Sequence, residues 1–207
     1  MLDHAEVIRL YGPWMRRTPQ DAAIRFADYP GRWWIAGGWA IDAFVGSARE
    51  HGDLDIGTPR ESVGPFVEYA SAGWDVWAVA AGSLTPLRPG TDPRLPEGCG
   101  NLWLRASGAE PWEYDVLLEL VQGGTWRYKR DARIARPLAD CLWDEQGLSY
   151  LKPEVQLLLK AKSWGPKDAL DLERCLPLLE TSDVAWLERS LRTAHPGHPW
   201  IARIAGD

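Results

Sequence analysis

Asp53 and Asp55 flank Leu54 in the run His51-Gly52-Asp53-Leu54-Asp55-Ile56, and this spacing does chemistry if the segment is extended. Side chains alternate along a strand, so both carboxylates point one way while Leu54 and Ile56 point the other. Two carboxylates side by side repel unless a cation lies between them. Hard oxygens of this kind suit Mg²⁺, which takes one or two carboxylates and completes its shell with water and phosphate oxygens. Upstream, Gly37-Gly38 follows the apolar run Trp33-Trp34-Ile35-Ala36. Glycines between a strand and a helix let the backbone approach a phosphate closely, at the helix end whose free N–H groups favour anions. Either feature alone is commonly an ordinary turn or a solvated strand end. Their order (strand, glycine pair, helix, Asp-x-Asp strand) points to metal-assisted chemistry on a nucleoside triphosphate.

Such chemistry uses a third acid on a neighbouring strand, to hold a second metal ion or to take the proton of an attacking hydroxyl. In Trp112-Glu113-Tyr114-Asp115-Val116-Leu117-Leu118-Glu119 the acids Glu113, Asp115 and Glu119 share one face of an expected strand. Asp115, central and short, is the candidate. Glu119 is the alternative, and a solvated acidic edge is the structural reading. Arg49 and His51 flank the first aspartate and could touch triphosphate oxygens, although a histidine there is as often a structural hydrogen-bonder. Lys160, Lys162 and Lys167 lie on or just after a helix expected to start at Pro153. One of them is expected to reach the phosphates from a second lobe, with Lys160 and Lys167 as the candidates. Asp168 and Asp171 share a helix face and read as holding that helix or orienting a lysine. The basic run from Arg127 to Arg136 reads as a solvated hairpin end.

The elements that must carry these groups follow from periodicity and turn residues. Short amphipathic helices are expected over residues 3–11 and 20–27, separated by Gly12-Pro13 and Thr18-Pro19. Next come a buried strand over 33–36, a helix over 39–45 stopped by Gly46, and a strand over 51–56. A helix over 61–72 and a strand over 74–80 precede residues 85–100, a Pro/Gly-rich stretch that reads as a substrate-side loop. Residues 101–106 and 112–120 form an expected hairpin. From Pro153 the pattern turns helical, with Glu154 in the first turn, and further helices are expected over 169–179 and 184–192. The fold class is α+β. A small mixed sheet with flanking helices forms a core over residues 1–125, and a helical part over 126–207 completes the nucleotide and acceptor cleft.

Composition narrows the partners. At 207 residues, 45% hydrophobic and 25% charged, the chain suits a soluble globular protein. No apolar run approaches the ~18 residues a membrane span needs. The first residues lack a basic and an apolar signal region, so secretion is not expected. Cys99, Cys141 and Cys175 are odd in number and share no metal-ligand spacing, which reads as reduced thiols in a cytoplasm. A net charge of −6 argues against nucleic acid and is compatible with a cationic small substrate. Most of the 13 tryptophans read as core, but Trp74, Trp77, Trp103 and Trp112 lie near the expected site and could wall a pocket.

Gly37-Gly38-Trp39-Ala40-Ile41-Asp42, followed by Arg49-Glu50-His51-Gly52-Asp53-Leu54-Asp55, resembles the bacterial aminoglycoside 2''-nucleotidyltransferases and the related lincosamide enzymes. These belong to the DNA-polymerase-β-like nucleotidyltransferase superfamily. The stretch from Leu151 to Lys162 and the run Pro166-Lys167-Asp168 are similar to that family's helical part, so the resemblance extends from about Trp33 to Leu179. It implies a two-Mg²⁺ site in which Asp53 and Asp55 bridge the metals and the triphosphate and Asp115 is the third acid. Gly37 and Gly38 would line the triphosphate. It also implies transfer of AMP, from ATP or with another NTP as donor, to a hydroxyl of a small polar, aminoglycoside-like acceptor, releasing pyrophosphate. Gly165 stands where relatives often carry an arginine. Two rival readings keep the same residues. A toxin-type nucleotidyltransferase acting on tRNA or protein would want a basic face, which the net charge opposes. A non-catalytic nucleotide-binding module would not need the intact acids.

Overall fold

Local signals place most helix ends in the computed structural model, which describes residues 4–47, 49–90 and 94–206. Helix α1 (His4–Tyr11) gives way at Gly12. Helix α2 (Pro19–Arg25) opens on a capping box in which Thr18 and Asp21 satisfy each other's amides. Strand β1 (Trp34–Ile35) runs straight into α3 (Gly37–Val45), which Gly46 closes in the left-handed region. Then follow β2 (Asp55–Pro59), α4 (Val63–Ala70), β3 (Asp75–Ala80) and β4 (Ser83–Leu87). The hairpin strands β5 (Asn101–Arg105) and β6 (Tyr114–Gln122) come next. Short strands β7 (Thr125–Arg127), β8 (Ala135–Pro137), β9 (Leu142–Glu145) and β10 (Leu148–Leu151) lead to the helices. These are α5 (Pro153–Ala161), α6 (Pro166–Cys175), α7 (Thr181–Ala194) and α8 (Pro199–Ala205). Among the described residues no helix is long and apolar enough to cross a membrane.

The main sheet has the order β4-β3-β5-β6-β2-β1-β10-β9, with β7 and β8 branching from β6. Two pairs are parallel, β2 with β6 and β1 with β10; the other neighbours are antiparallel. The α+β class, a mixed sheet followed by helices, is as expected. Two parts of it were not visible in the periodicity. Strand β4 lies within and just before the stretch read as a loop, and its Pro86 is accommodated because β4 is an edge strand. Strands β9 and β10 extend the sheet beside β1, so the expected division after residue 125 falls inside the sheet and the helices begin at Pro153. Asp3 of the first expected helix and residues 91–93 of the expected loop lie outside the described residues.

The two faces of the sheet have different tasks. Phe26, at the end of α2, stacks on Phe66 of α4 and on Trp74, and meets Tyr114 edge-on at 5.3 Å. Val116 and Leu118 share the side of Tyr114 by alternation and are fully buried with it. Trp74 therefore belongs to the core on this face and does not wall the acid site. Asp115 points to the other face.

On that other face the fully buried Trp34 lies across Gly57 of the neighbouring strand. A Cβ at Gly57 would meet the Trp34 indole nitrogen at 2.1 Å. Gly57→Ala must displace this tryptophan, so it is expected to cost about 2 kcal/mol or more by overpacking. Urea unfolding measures it, and an unchanged midpoint would contradict this packing.

Candidate active site

Because β2 and β6 run parallel with Asp55 opposite Asp115, the two carboxylates stand side by side on the face away from Phe26. Asp53 departs from expectation. Strand β2 begins only at Asp55, so alternation does not position Asp53. The preceding loop nevertheless brings its charge near both others, where it raises their proton affinity. Burial is the main cause that lifts Asp55 well above the usual carboxylate range, with Asp53 and Asp115 adding to it and Lys160 and Lys167 opposing it. Asp115 is pushed up to about 7. Burial is again the main cause; the Asn101 hydrogen bond works against it and Asp53 with it. The Trp103 indole N–H leans toward the same carboxylate without closing a hydrogen bond of good geometry.

The glycine pair packs directly on this acid row. Gly37 has φ of 65°, and a Cβ there would lie 1.8 Å from Asp55 Oδ2. Only glycine permits both the conformation and the approach. Its amide donates to Gln156 Oε1 of α5 at 2.8 Å, so that N–H is held by protein. A Cβ on Gly38 would meet the Arg49 guanidinium and the His51 ring at 2.8 Å. Ala36 caps the nine-residue α3 without a side-chain hydrogen bond, which leaves the positive helix end open toward an anion.

Arg49, His51 and Lys160, expected to face phosphates, are engaged in an ion network. His51 Nε2 bonds Asp42 Oδ2 at 2.8 Å, and the ring stacks on Trp39. Burial, with Arg49 and Lys167 nearby, lowers the His51 pKa, so the ring is neutral at pH 7. Burial also penalises the Asp42 carboxylate, but the Arg49 amide, His51 and Arg174 outweigh it and hold Asp42 below its ordinary value. Arg174 Nη1 reaches Asp42 Oδ1 at 2.9 Å, and Arg49 reaches Asp171 at 3.3 Å. Lys160 is gripped by Asp168 at 2.7 Å and Asp171 at 3.0 Å, as the shared helix face of the two acids suggested. Lys167 is exposed on α6, and its charge is felt by Asp55 and His51.

The remaining candidates sort themselves by partner. Glu113 pairs with Arg17 at 2.7 Å, and Glu119 accepts from Trp126 at 2.9 Å and pairs with Lys129 at 3.0 Å. Asp115 alone of the three β6-segment acids stays beside Asp55. The basic run is more than a solvated hairpin end: Lys129 holds Glu119, and Arg136 holds the fully buried Glu154 at 2.9 Å. Trp103 lies in register between Trp77 and Asp115, and Trp112 packs on it at 5.3 Å, so these tryptophans wall the acid face on one side. Asn101, Gln156, Asp42 and Arg174 were not singled out from sequence. A lone aspartate inside the apolar Ala40-Ile41-Asp42-Ala43 was the one available signal.

The donor set consists of hard carboxylate oxygens carrying surplus negative charge, which fits a hard divalent cation. Among the described residues no three acid, histidine or cysteine side chains close into a metal cage of their own. A cation here would take part of its shell from water or phosphate.

The fold is the one seen in antibiotic adenylyltransferases. Residues 22–72 match the model of the aminoglycoside-2''-adenylyltransferase family, which bears out the resemblance carried by the glycine and Asp-x-Asp motifs. The fold is similar to that of the antibiotic-resistance factor ANT(2'')-Ia in solution, with TM-score 0.53, 16% identity and coverage of 82% of this chain and 86% of that one. The same protein in complex with adenylyl-2''-tobramycin gives TM-score 0.53 at 14% identity, over 85% of this chain and 99% of that one. The lincosamide adenylyltransferase LnuA, bound to lincomycin, gives TM-score 0.51 at 14% identity, over 78% and 96%. No curated protein sequence matches significantly.

The crowded acids have a thermodynamic consequence. In the fold Asp55 and Asp115 bind protons more tightly than an unfolded aspartate, whose pKa is about 3.9. The folded state then holds more protons, so metal-free stability falls as pH rises from about 4 through about 7. Asp115→Asn removes one of the repelling charges. Its melting temperature at pH 8 in EDTA is expected to exceed that of the wild type, and a lower value would contradict the repulsion.

Proposed function

We propose that the chain transfers AMP from ATP to a hydroxyl of a small polar, aminoglycoside-like acceptor, releasing pyrophosphate with the help of Mg²⁺. The observation that carries this reading is the in-register Asp55–Asp115 pair pressed against the Gly37 turn. Asp53 and Asp55 would hold the metal ions against the triphosphate, and Asp115 would complete the set. The chemistry that Mg²⁺ supplies when bound is Lewis acidity toward the phosphate and a lowered pKa of the acceptor hydroxyl. Gly37 and Gly38 keep side chains away from the triphosphate, and the open end of α3 favours its charge. Lys167 is the cation free to reach the phosphates. Arg49, His51 and Lys160 add positive or polar character beneath them while bracing α3 against α5 and α6.

In the transfer the acceptor oxygen attacks the α-phosphorus and the bond to the β-phosphate oxygen breaks. Pyrophosphate leaves, and Asp115 takes the hydroxyl proton. The sheet-bearing part carries the acids and the glycine turn, and the helices from Pro153 onward close the nucleotide and acceptor cleft. A small polar acceptor is supported by the compounds bound to the similar proteins, lincomycin in one and an adenylylated tobramycin in another. The net charge of −6 favours a cationic one. Drug inactivation in the cytoplasm, where ATP is available and the three buried thiols stay reduced, is the corresponding biological role.

Pyrophosphate release tests the reading, with each of the four NTPs against panels of aminoglycosides and lincosamides. ATP with one acceptor class is expected to give signal that EDTA abolishes. Asp53→Asn, Asp55→Asn and Asp115→Asn are expected to lower the rate on the order of a thousandfold while remaining folded. Wild-type release by any of these variants would overturn the mechanism. Labelled RNA or protein in place of a labelled small acceptor would overturn the acceptor class.

A further inference from the structure

We propose that Asn101 is the positioning residue for Asp115, holding its carboxylate at the angle that proton transfer and metal contact require. This rests on the nucleotidyl-transfer reading above. Strand β5 runs antiparallel to β6, with Trp103 opposite Asp115 and Asn101 opposite Leu117. Asn101 thus sits on the acid face, one alternation beyond Asp115, and its Nδ2 donates to Asp115 Oδ1 at 2.7 Å. Its backbone is anchored on both sides. Leu118 N donates to the Gly100 carbonyl at 2.9 Å, and the Cys99 thiol reaches the Asn101 carbonyl at 3.4 Å.

The bond matters because of what surrounds it. Asp53 and Asp55 repel Asp115, and a free aspartate relieves such repulsion by rotating away. Asn101 opposes that rotation with a neutral donor, which adds no charge to compete with a cation or a phosphate. Among the described residues Asp115 is the one member of the acid row with a side-chain hydrogen bond. One oxygen is occupied by Asn101, and the second is left for the reacting groups. The Trp103 indole leaning on the same carboxylate narrows its freedom further. Asp53 and Asp55, without such a restraint, can adjust to the ions they share. Asn101 touches no reacting atom in this scheme and acts through Asp115.

The test uses Asn101→Ala and the isosteric Asn101→Asp, with Asp115→Asn beside them. Three quantities are read: kcat and nucleotide KM, Mn²⁺ affinity by electron paramagnetic resonance with a non-hydrolysable ATP analogue, and melting temperature. A charge-assisted hydrogen bond is worth roughly a tenfold to hundredfold effect. Asn101→Ala is expected to lose about that factor in kcat, with KM within about twofold and Mn²⁺ bound several-fold more weakly. Asn101→Asp keeps the shape but replaces the donor with a repelling oxygen, and is expected to lose at least as much kcat. Should the alanine variant fail to fold, the aspartate variant carries the test. Wild-type kcat and Mn²⁺ affinity in either folded variant would overturn the proposal. So would losses of kcat, KM and melting temperature that move together, which mark a packing role. Turnover by Asp115→Asn would instead overturn the underlying reading, whereas an inactive Asp115→Asn beside a fully active Asn101→Ala would overturn only the role of Asn101.

Discussion

Repulsion among Asp53, Asp55 and Asp115 is the constraint to which the surrounding structure answers. Three carboxylates held at the edge of a buried face disfavour their own charge, and the fold keeps two of them in register on parallel strands regardless. Such an arrangement persists only when the rest of the domain over-determines it. The opposite face does so with the Phe26, Phe66, Trp74 and Tyr114 cluster, which fixes strand parity and therefore which residues of β6 look toward the acids. A shift of one residue in β6 would bury Asp115 among these aromatics.

The positive side is arranged differently. The cations nearest the acids are largely committed to partners: Lys160 to Asp168 and Asp171, Arg49 to Asp171, and Arg174 to Asp42. This network ties α3 and the Arg49–His51 loop to α5 and α6, while Gln156 pins the Gly37 amide from the same side. The helices thus set the glycine turn and the aspartates in fixed relation before any ligand arrives. Preorganised charge is more effective in catalysis than charge that must first be recruited. Lys167 is exposed on α6.

Much of this was legible in the sequence, and the gaps have physical causes. The glycine pair at the strand-to-helix junction and the side-by-side placement of Asp55 and Asp115 follow from local chemistry and strand period. Asp53 was misjudged in its mechanism because nothing local shows where a strand begins. Strands β9 and β10 are too short for a period to show, and their place beside β1 depends on a long-range parallel pairing. The inward commitment of Arg49 and His51 was hidden because it depends on how the loop after α3 folds back onto Asp42 and on Asp171 and Arg174, which are distant along the chain. The Lys160 partners were suggested by the shared face of Asp168 and Asp171. Asn101 and Gln156 are polar residues whose importance comes entirely from the atoms they meet across the fold.

The most direct measurement is anomalous diffraction from a crystal grown with Mn²⁺ and a non-hydrolysable ATP analogue. The expected map has metal density beside the carboxylates of Asp53, Asp55 and Asp115, with the triphosphate next to Gly37 and Gly38. Metal bound away from all three aspartates, with nucleotide elsewhere on the protein, would contradict the claim that their shared charge exists to be neutralised by cations that also hold a triphosphate.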